Sequence, residues 1–305
     1  MTGRRTGPGL VRKPHPLPSP DMSDTNAASP LRLTAEQRLN WTAEQAQKWA
    51  KYRESPHLAA PGSSLALDDK IFPLSPPSHL VAFGIAHAVE HLEFFLYPLL
   101  NGGAGFPTAP NTLARASVLG SAHALWMLDH PDRKERQRRG LRMAHYEAAN
   151  ERTAVYEVEH IPGANPDPQT RALWQSRVDL CNETMNEAVD AGATIGMTAE
   201  DVARRPDDTT IIDHVAKAYI AASPGDSDTL VTAYRLNWRM HSGNAHGLRW
   251  PAVWHSEMQG SFARGGAAAR VTSGGLEGLS IVASAMALFI KRAVELFDAA
   301  RQRPS

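Results

Sequence analysis

Apolar residues recur along this chain at intervals of three and four, the spacing of one helix face, and no alternating pattern of strand length interrupts them. After a capping box at Thr34–Gln37 a polar helix is predicted to about Glu54, followed by a Pro-, Gly- and Ser-rich loop to residue 77 expected to wrap rather than pack. Ser78 to Leu100 reads as the first strongly apolar helix, ended by Asn101-Gly102-Gly103. Asn111 is placed to cap the next, which runs to Leu128 before His130-Pro131. Asp132-x-x-Glu135 opens a helix to His160 with Leu141, Ala144, Ala148 and Val155 inward. Asp167-Pro168 opens another, with a stripe of Leu173, Leu180, Cys181, Met185 and Ala188 and an end at Gly192. A short helix follows Thr198, one spans Asp208 to Ala222, one starts at Asp228, and an apolar one runs from Leu276 to Arg301 after the glycine-rich excursion Gly260–Gly275. These elements predict an all-α helical bundle of seven to nine helices.

Composition adds boundaries. Residues 1–30 hold six prolines, four early basic residues and no apolar periodicity, so they are expected to form a disordered tail, with Met22 as a second candidate start. The chain then divides into a polar helix and linker over 31–77 and an all-α core over 78–305. Thirty-two basic and thirty-two acidic side chains cancel, which leaves any attraction for nucleic acid to local clusters. One cluster, Arg133, Lys134, Arg136, Arg138, Arg139 and Arg142, has the spacing of a solvated helix face. The single cysteine, Cys181, fits a cytoplasmic protein without disulfides. The most apolar run, Leu279 to Ile290, is too short to span a bilayer, and no membrane partner is expected.

The stretch Asp228 to Trp250 concentrates the chemistry. A helix beginning at Asp228 would bury Leu230, Ala233, Tyr234 and Trp238 and set Arg235 and Arg239 one turn apart, where two guanidinium groups repel unless an anion or carboxylate lies between them. Ser242-Gly243-Asn244 is expected to end that helix, with His241 in its last turn and His246 just beyond. Arg115 is the one charge between Thr112 and Leu128 and needs either an acidic partner, Asp129 or Glu147, or a cavity.

Arg235 is separated from His241 by five residues and Arg239 from His246 by six, spacings that resemble the Arg-x(4–6)-His signature of the HEPN superfamily. Tyr234-Arg235, Ser242-Gly243 and Ala245-His246-Gly247, with Leu125-Trp126-Met127-Leu128-Asp129-His130-Pro131 upstream between Arg115 and Arg136 and Arg139, also resemble uncharacterised all-helical actinobacterial proteins over residues 78 to 300. The chain departs from that pattern at Leu119, Leu236 and Met240. The resemblance implies a metal-independent ribonuclease or RNA-binding component of toxin–antitoxin or phage-defence systems. Arg235, Arg239, His241 and His246 would be catalytic, and Arg115, Tyr234 and Asn244 would bind substrate. RNA would be the partner, a homodimer is open, and no cofactor is needed.

Two other readings compete. One is a helical interaction or regulatory protein without an active site. The other is a metal-binding bundle, because His87-Ala-Val-Glu90-His91 has the H-x-x-E-H order and could recruit His79 and the Glu157/His160 pair. No glycine-rich phosphate loop, Ser-His-Asp order or dinucleotide fingerprint is present.

Overall fold

The computed structural model describes residues 33–54, 59–101, 109–161, 163, 165–221, 227–248, 250–251, 256–258, 269–271 and 275–303. The predicted tail and Met22 lie outside them, as does most of Gly260–Gly275. The fold is all-α. Its helices are α1 (Ala35–Trp49), α2 (Lys51–Glu54), α3 (Ser64–Asp69), α4 (Pro77–Leu100), α5 (Ala109–Leu128), α6 (Arg133–Glu159), α7 (Pro168–Thr194), α8 (Ala199–Ala203), α9 (Asp208–Ala221), α10 (Ser227–Ala245) and α11 (Leu276–Arg301). A ribbon of two three-residue strands, β1 (Ser256–Met258) and β2 (Ala269–Val271), pairs antiparallel and is too short to have shown as a pattern.

Capping explains where several helices start. Thr34 and Gln37 exchange side-chain-to-backbone bonds, as do Thr198 and Asp201, and the Asp167 side chain accepts from Thr170 N–H ahead of Pro168. The core lies where α4, α5 and α11 meet. Ile85, Leu92, Phe95, Leu125, Phe289 and Phe297 are fully buried there. α4 and α5 cross at Gly84 and Gly120, so closely that a Cβ at Gly84 would stand 2.7 Å from the Gly120 carbonyl oxygen. α4 is also the one described helix long and apolar enough to cross a membrane; its Val81, Ile85, Val89 and Leu92 are buried in the protein core instead.

Several expectations are corrected. The loop to residue 77 does pack: it contains α3, capped by Ser63, and it delivers Leu65 and Phe72 to the core. The first helix is fastened to the last. Buried Arg38 donates to Ser280 Oγ at 2.9 Å and pairs with Glu277, while Tyr52 donates to Asp298 at 2.6 Å. On α7, Leu173 and Leu180 face solvent whereas Cys181 and Ala188 are buried, and the helix runs past Gly192 to Thr194. Of the cation cluster on α6, Arg133 and Lys134 are exposed as expected, but the other four are half-buried or buried. Arg136 and Arg133 hold buried Asp68, Arg139 is buried against Trp126 and paired with Glu135, and Arg142 donates to the Asp201 carbonyl. These charges are spent joining helices.

Candidate functional site

The end of α10 decides how its charged residues are arrayed. Ser242-Gly243-Asn244 does not stop the helix. The glycine that does is Gly247, at φ +67°, where Gly247 N–H reaches the Asn244 carbonyl and Leu248 N–H reaches the Gly243 carbonyl, a Schellman turn. Gly243 serves packing: a Cβ there would come within 2.7 Å of Pro251 and 3.1 Å of Trp250. At the other end the helix begins at Ser227, so Asp228 lies in its first turn rather than before it, and the side chains of Leu230 and Ala233 fall outside the described residues. The extra turn keeps positions 235, 239 and 242 on one stripe of the helix, and the His246 N–H to Ser242 carbonyl bond carries that stripe on to position 246 just past its end.

That stripe faces outward and carries Arg235, Arg239 and His246, all exposed. Arg235 pairs with Asp213 of α9, which also takes Lys217 at 2.8 Å; burial works to raise the Asp213 pKa, but the two cations outweigh it and hold the carboxyl below its usual range. One carboxylate therefore serves two cations. Arg239 has no carboxylate, carbonyl or ring partner among the described residues. Both arginines line an open groove of about 500 Å³ whose other walls are Thr209, Thr210, Ile212, Asp213 and Trp238.

Trp238 forms the back of this groove and holds a third guanidinium behind it. Arg115 reaches neither Asp129 nor Glu147; its guanidinium lies 5.0 Å from the Trp238 ring centre and donates to Ser242 Oγ at 3.2 Å. It is half-buried without a carboxylate, a cation held by an aromatic face and a hydroxyl. Asn111, expected as a cap, sits in the first turn of α5 instead and turns its Oδ1 to His241.

His241 is the main correction among the proposed site residues. It is buried, 2.9 Å from Asn111 Oδ1, about a third of a turn around the helix from the arginine stripe, and it borders a small inner void of about 20 Å³. Such a space holds about one water. Tyr234 is partly buried and stacks on Phe289 at 4.7 Å, packed against the core, and burial drives its hydroxyl pKa upward. Asn244 is half-buried in the last turn, where its carbonyl closes the helix. The structure thus gathers Arg235, Arg239 and His246 on one face with Arg115 behind Trp238, and directs His241 and Tyr234 inward. Asp213 and the Thr209–Thr210 wall were missed; the Asp207-x-x-Thr210 capping pattern was the available signal, and Asp207 does accept from Thr210 N–H at 2.7 Å.

The metal alternative finds no support in geometry. Among the described residues no three His, Cys, Asp or Glu side chains are grouped to hold an ion. His87 and His91 stack 4.1 Å apart, His91 Nδ1 bonds the His87 carbonyl at 2.8 Å, Glu90 is exposed, and Glu157 and His160 stand exposed at the far end of α6. No family model, curated protein or solved structure matches the chain.

Proposed function

We propose that the groove between α9 and α10 binds the phosphates of RNA, with Arg239 and Arg115 supplying positive charge and His246 standing as the proton acceptor for cleavage. The observation that carries this reading is Arg239, which has no partner among the described residues. In a chain whose charges cancel overall, one carboxylate, Asp213, already paired with Lys217 on its own helix, faces Arg235 and Arg239 in a groove too large for a lone phosphate. A polyanion relieves that local excess, and its affinity should come mainly from backbone charge.

Cleavage would need no metal. His246 takes the proton of a ribose 2′-hydroxyl, the 2′-oxygen attacks the adjacent phosphorus, the P–O5′ bond breaks, and the leaving oxygen takes a proton from water. Arg239 offsets the charge that develops on the phosphate. This activity suits a cytoplasmic toxin or defence component, as the HEPN resemblance implies. A second reading, RNA binding without cleavage, is favoured by the burial of His241, which leaves His246 as the one imidazole on that stripe.

The test is incubation of purified protein with single-stranded RNA in the presence of a chelator. Chelator-resistant cleavage that disappears in His246→Ala while RNA binding persists supports catalysis. Binding without cleavage selects the second reading, and an absence of RNA binding at low salt removes both.

A further inference from the structure

Opposite the buried Ile85 and Leu92 of α4, residues Phe83, His87, Glu90, Phe94 and Tyr97 follow one another at four, three, four and three, a single straight stripe. Phe83, Phe94 and Tyr97 are 67%, 68% and 64% exposed, the three most exposed large apolar side chains among the described residues. The stripe is framed by Glu93, held by Arg53 of α2 at 2.9 Å, and by the Gly84–Gly120 crossing with α5. Glu90 at its centre has no ion pair among the described residues, and the His87 ring, stacked on Phe83 at 6.1 Å, makes no hydrogen bond there through its nitrogens. Neither the α10 groove nor the core explains three aromatic rings aligned in water.

We propose that a second copy of this chain covers the stripe, its α4 running antiparallel across a two-fold axis so that Glu90 of each copy meets the partner's His87 between Phe83–Phe94 pairs. Complementarity between the Glu90 carboxylate charge and the His87 imidazole N–H donor selects this occupant and this register. Setting position 83 against 94 places 87 against 90 twice, so both carboxylates acquire an imidazole; the next register places Glu90 against Phe94 and desolvates a carboxylate without a partner. A lipid surface would face the same carboxylate with hydrocarbon or anionic headgroups, which repel it.

The area sets the strength. At roughly 200 Å² per fully exposed aromatic ring, the three rings bury about 400 Å² per copy, on the order of 800 Å² in all. Stable interfaces bury about 1,200–2,000 Å², so the flanking side chains must contribute and the dimer should be a weak, reversible one.

Sedimentation velocity of the full chain across the micromolar range tests the proposal. Wild type should show a concentration-dependent monomer–dimer equilibrium. Phe94→Glu and Glu90→Arg, both at exposed positions, should shift it to monomer by at least tenfold in Kd with unchanged melting temperature. Combining Glu90→Arg with His87→Glu should restore association, which general loss of folding would not. A wild type that stays monomeric throughout overturns the proposal, as does a dimer insensitive to Phe94→Glu. Flotation of the monomer with anionic vesicles, lost in Phe94→Glu, would assign the stripe to a membrane surface and also overturn it.

Discussion

His241 and His246 lie five residues apart at one helix end, yet their environments assign them opposite roles. His241 is buried against Asn111, so His241→Ala removes their hydrogen bond and enlarges the neighbouring void; we expect a loss of about 1–3 kcal/mol in thermal or denaturant unfolding. His246 is exposed beyond the last helical turn, and His246→Ala should leave the melting temperature within experimental error. Arg115 separates the possibilities in the same way. With no carboxylate left behind, Arg115→Met should cost well below the roughly 3–5 kcal/mol expected when a buried ion pair is broken, because methionine keeps the apolar contact with Trp238. Equal destabilisation at all three positions would show that all three side chains serve the scaffold. These differences were not legible in the sequence. The spacing placed two arginines and two histidines around one helix end, but which histidine points inward depends on Asn111, more than a hundred residues away.

At the level of elements, the helices and most caps could be read directly, because Asp167-Pro168, Thr198-x-x-Asp201 and the run from Ser78 to Leu100 act through neighbours in the chain. What failed involved glycine, which serves two purposes. Gly243 was read as a helix stop and is a contact with Trp250 and Pro251; Gly247 takes the positive φ and ends the helix. Gly84 belongs with the first kind. Gly84→Ala forces a methyl against the Gly120 carbonyl and should destabilise by about 1–3 kcal/mol by overpacking. Gly247→Ala meets no steric neighbour and should cost about 1 kcal/mol through backbone strain alone. A chevron or melt that ranks the two in the reverse order would contradict the close α4–α5 crossing. The loop before α4 failed for another reason: Leu65 and Phe72 are isolated apolar residues without periodicity, and only tertiary contact shows that they are core.

For the molecule as a whole, acid stability follows from half-buried imidazoles. Burial, with Arg139 next, lowers the His214 pKa, and burial, with Arg152 next, lowers that of His145; His214 Nε2 is moreover buried without a hydrogen bond. The unfolded chain therefore binds more protons than the folded one as pH falls through the ordinary histidine value of about 6.5, so stability present above it is lost on acidification. We expect the melting temperature to fall between about pH 7.5 and pH 6 and the fall to be smaller in His214→Gln; a flat profile would show that His214 is accessible to water.

The α10 stripe is where composition was least informative, since a net charge of zero hides how unevenly ion pairs are distributed. Most arginines of α6 are taken up by Asp68 of α3, by Glu135 and by neighbouring carbonyls, and α10 leaves Arg239 open among the described residues. The most direct measurement is the affinity for a single-stranded RNA as a function of salt, for wild type and Arg239→Ala. If Arg239 holds a phosphate, the variant should bind more weakly and its log–log salt slope should be shallower by about 0.7, the value for one lost contact to a single strand, with unchanged melting temperature. Identical affinity and identical slope in the two proteins would contradict the assignment of this groove to RNA.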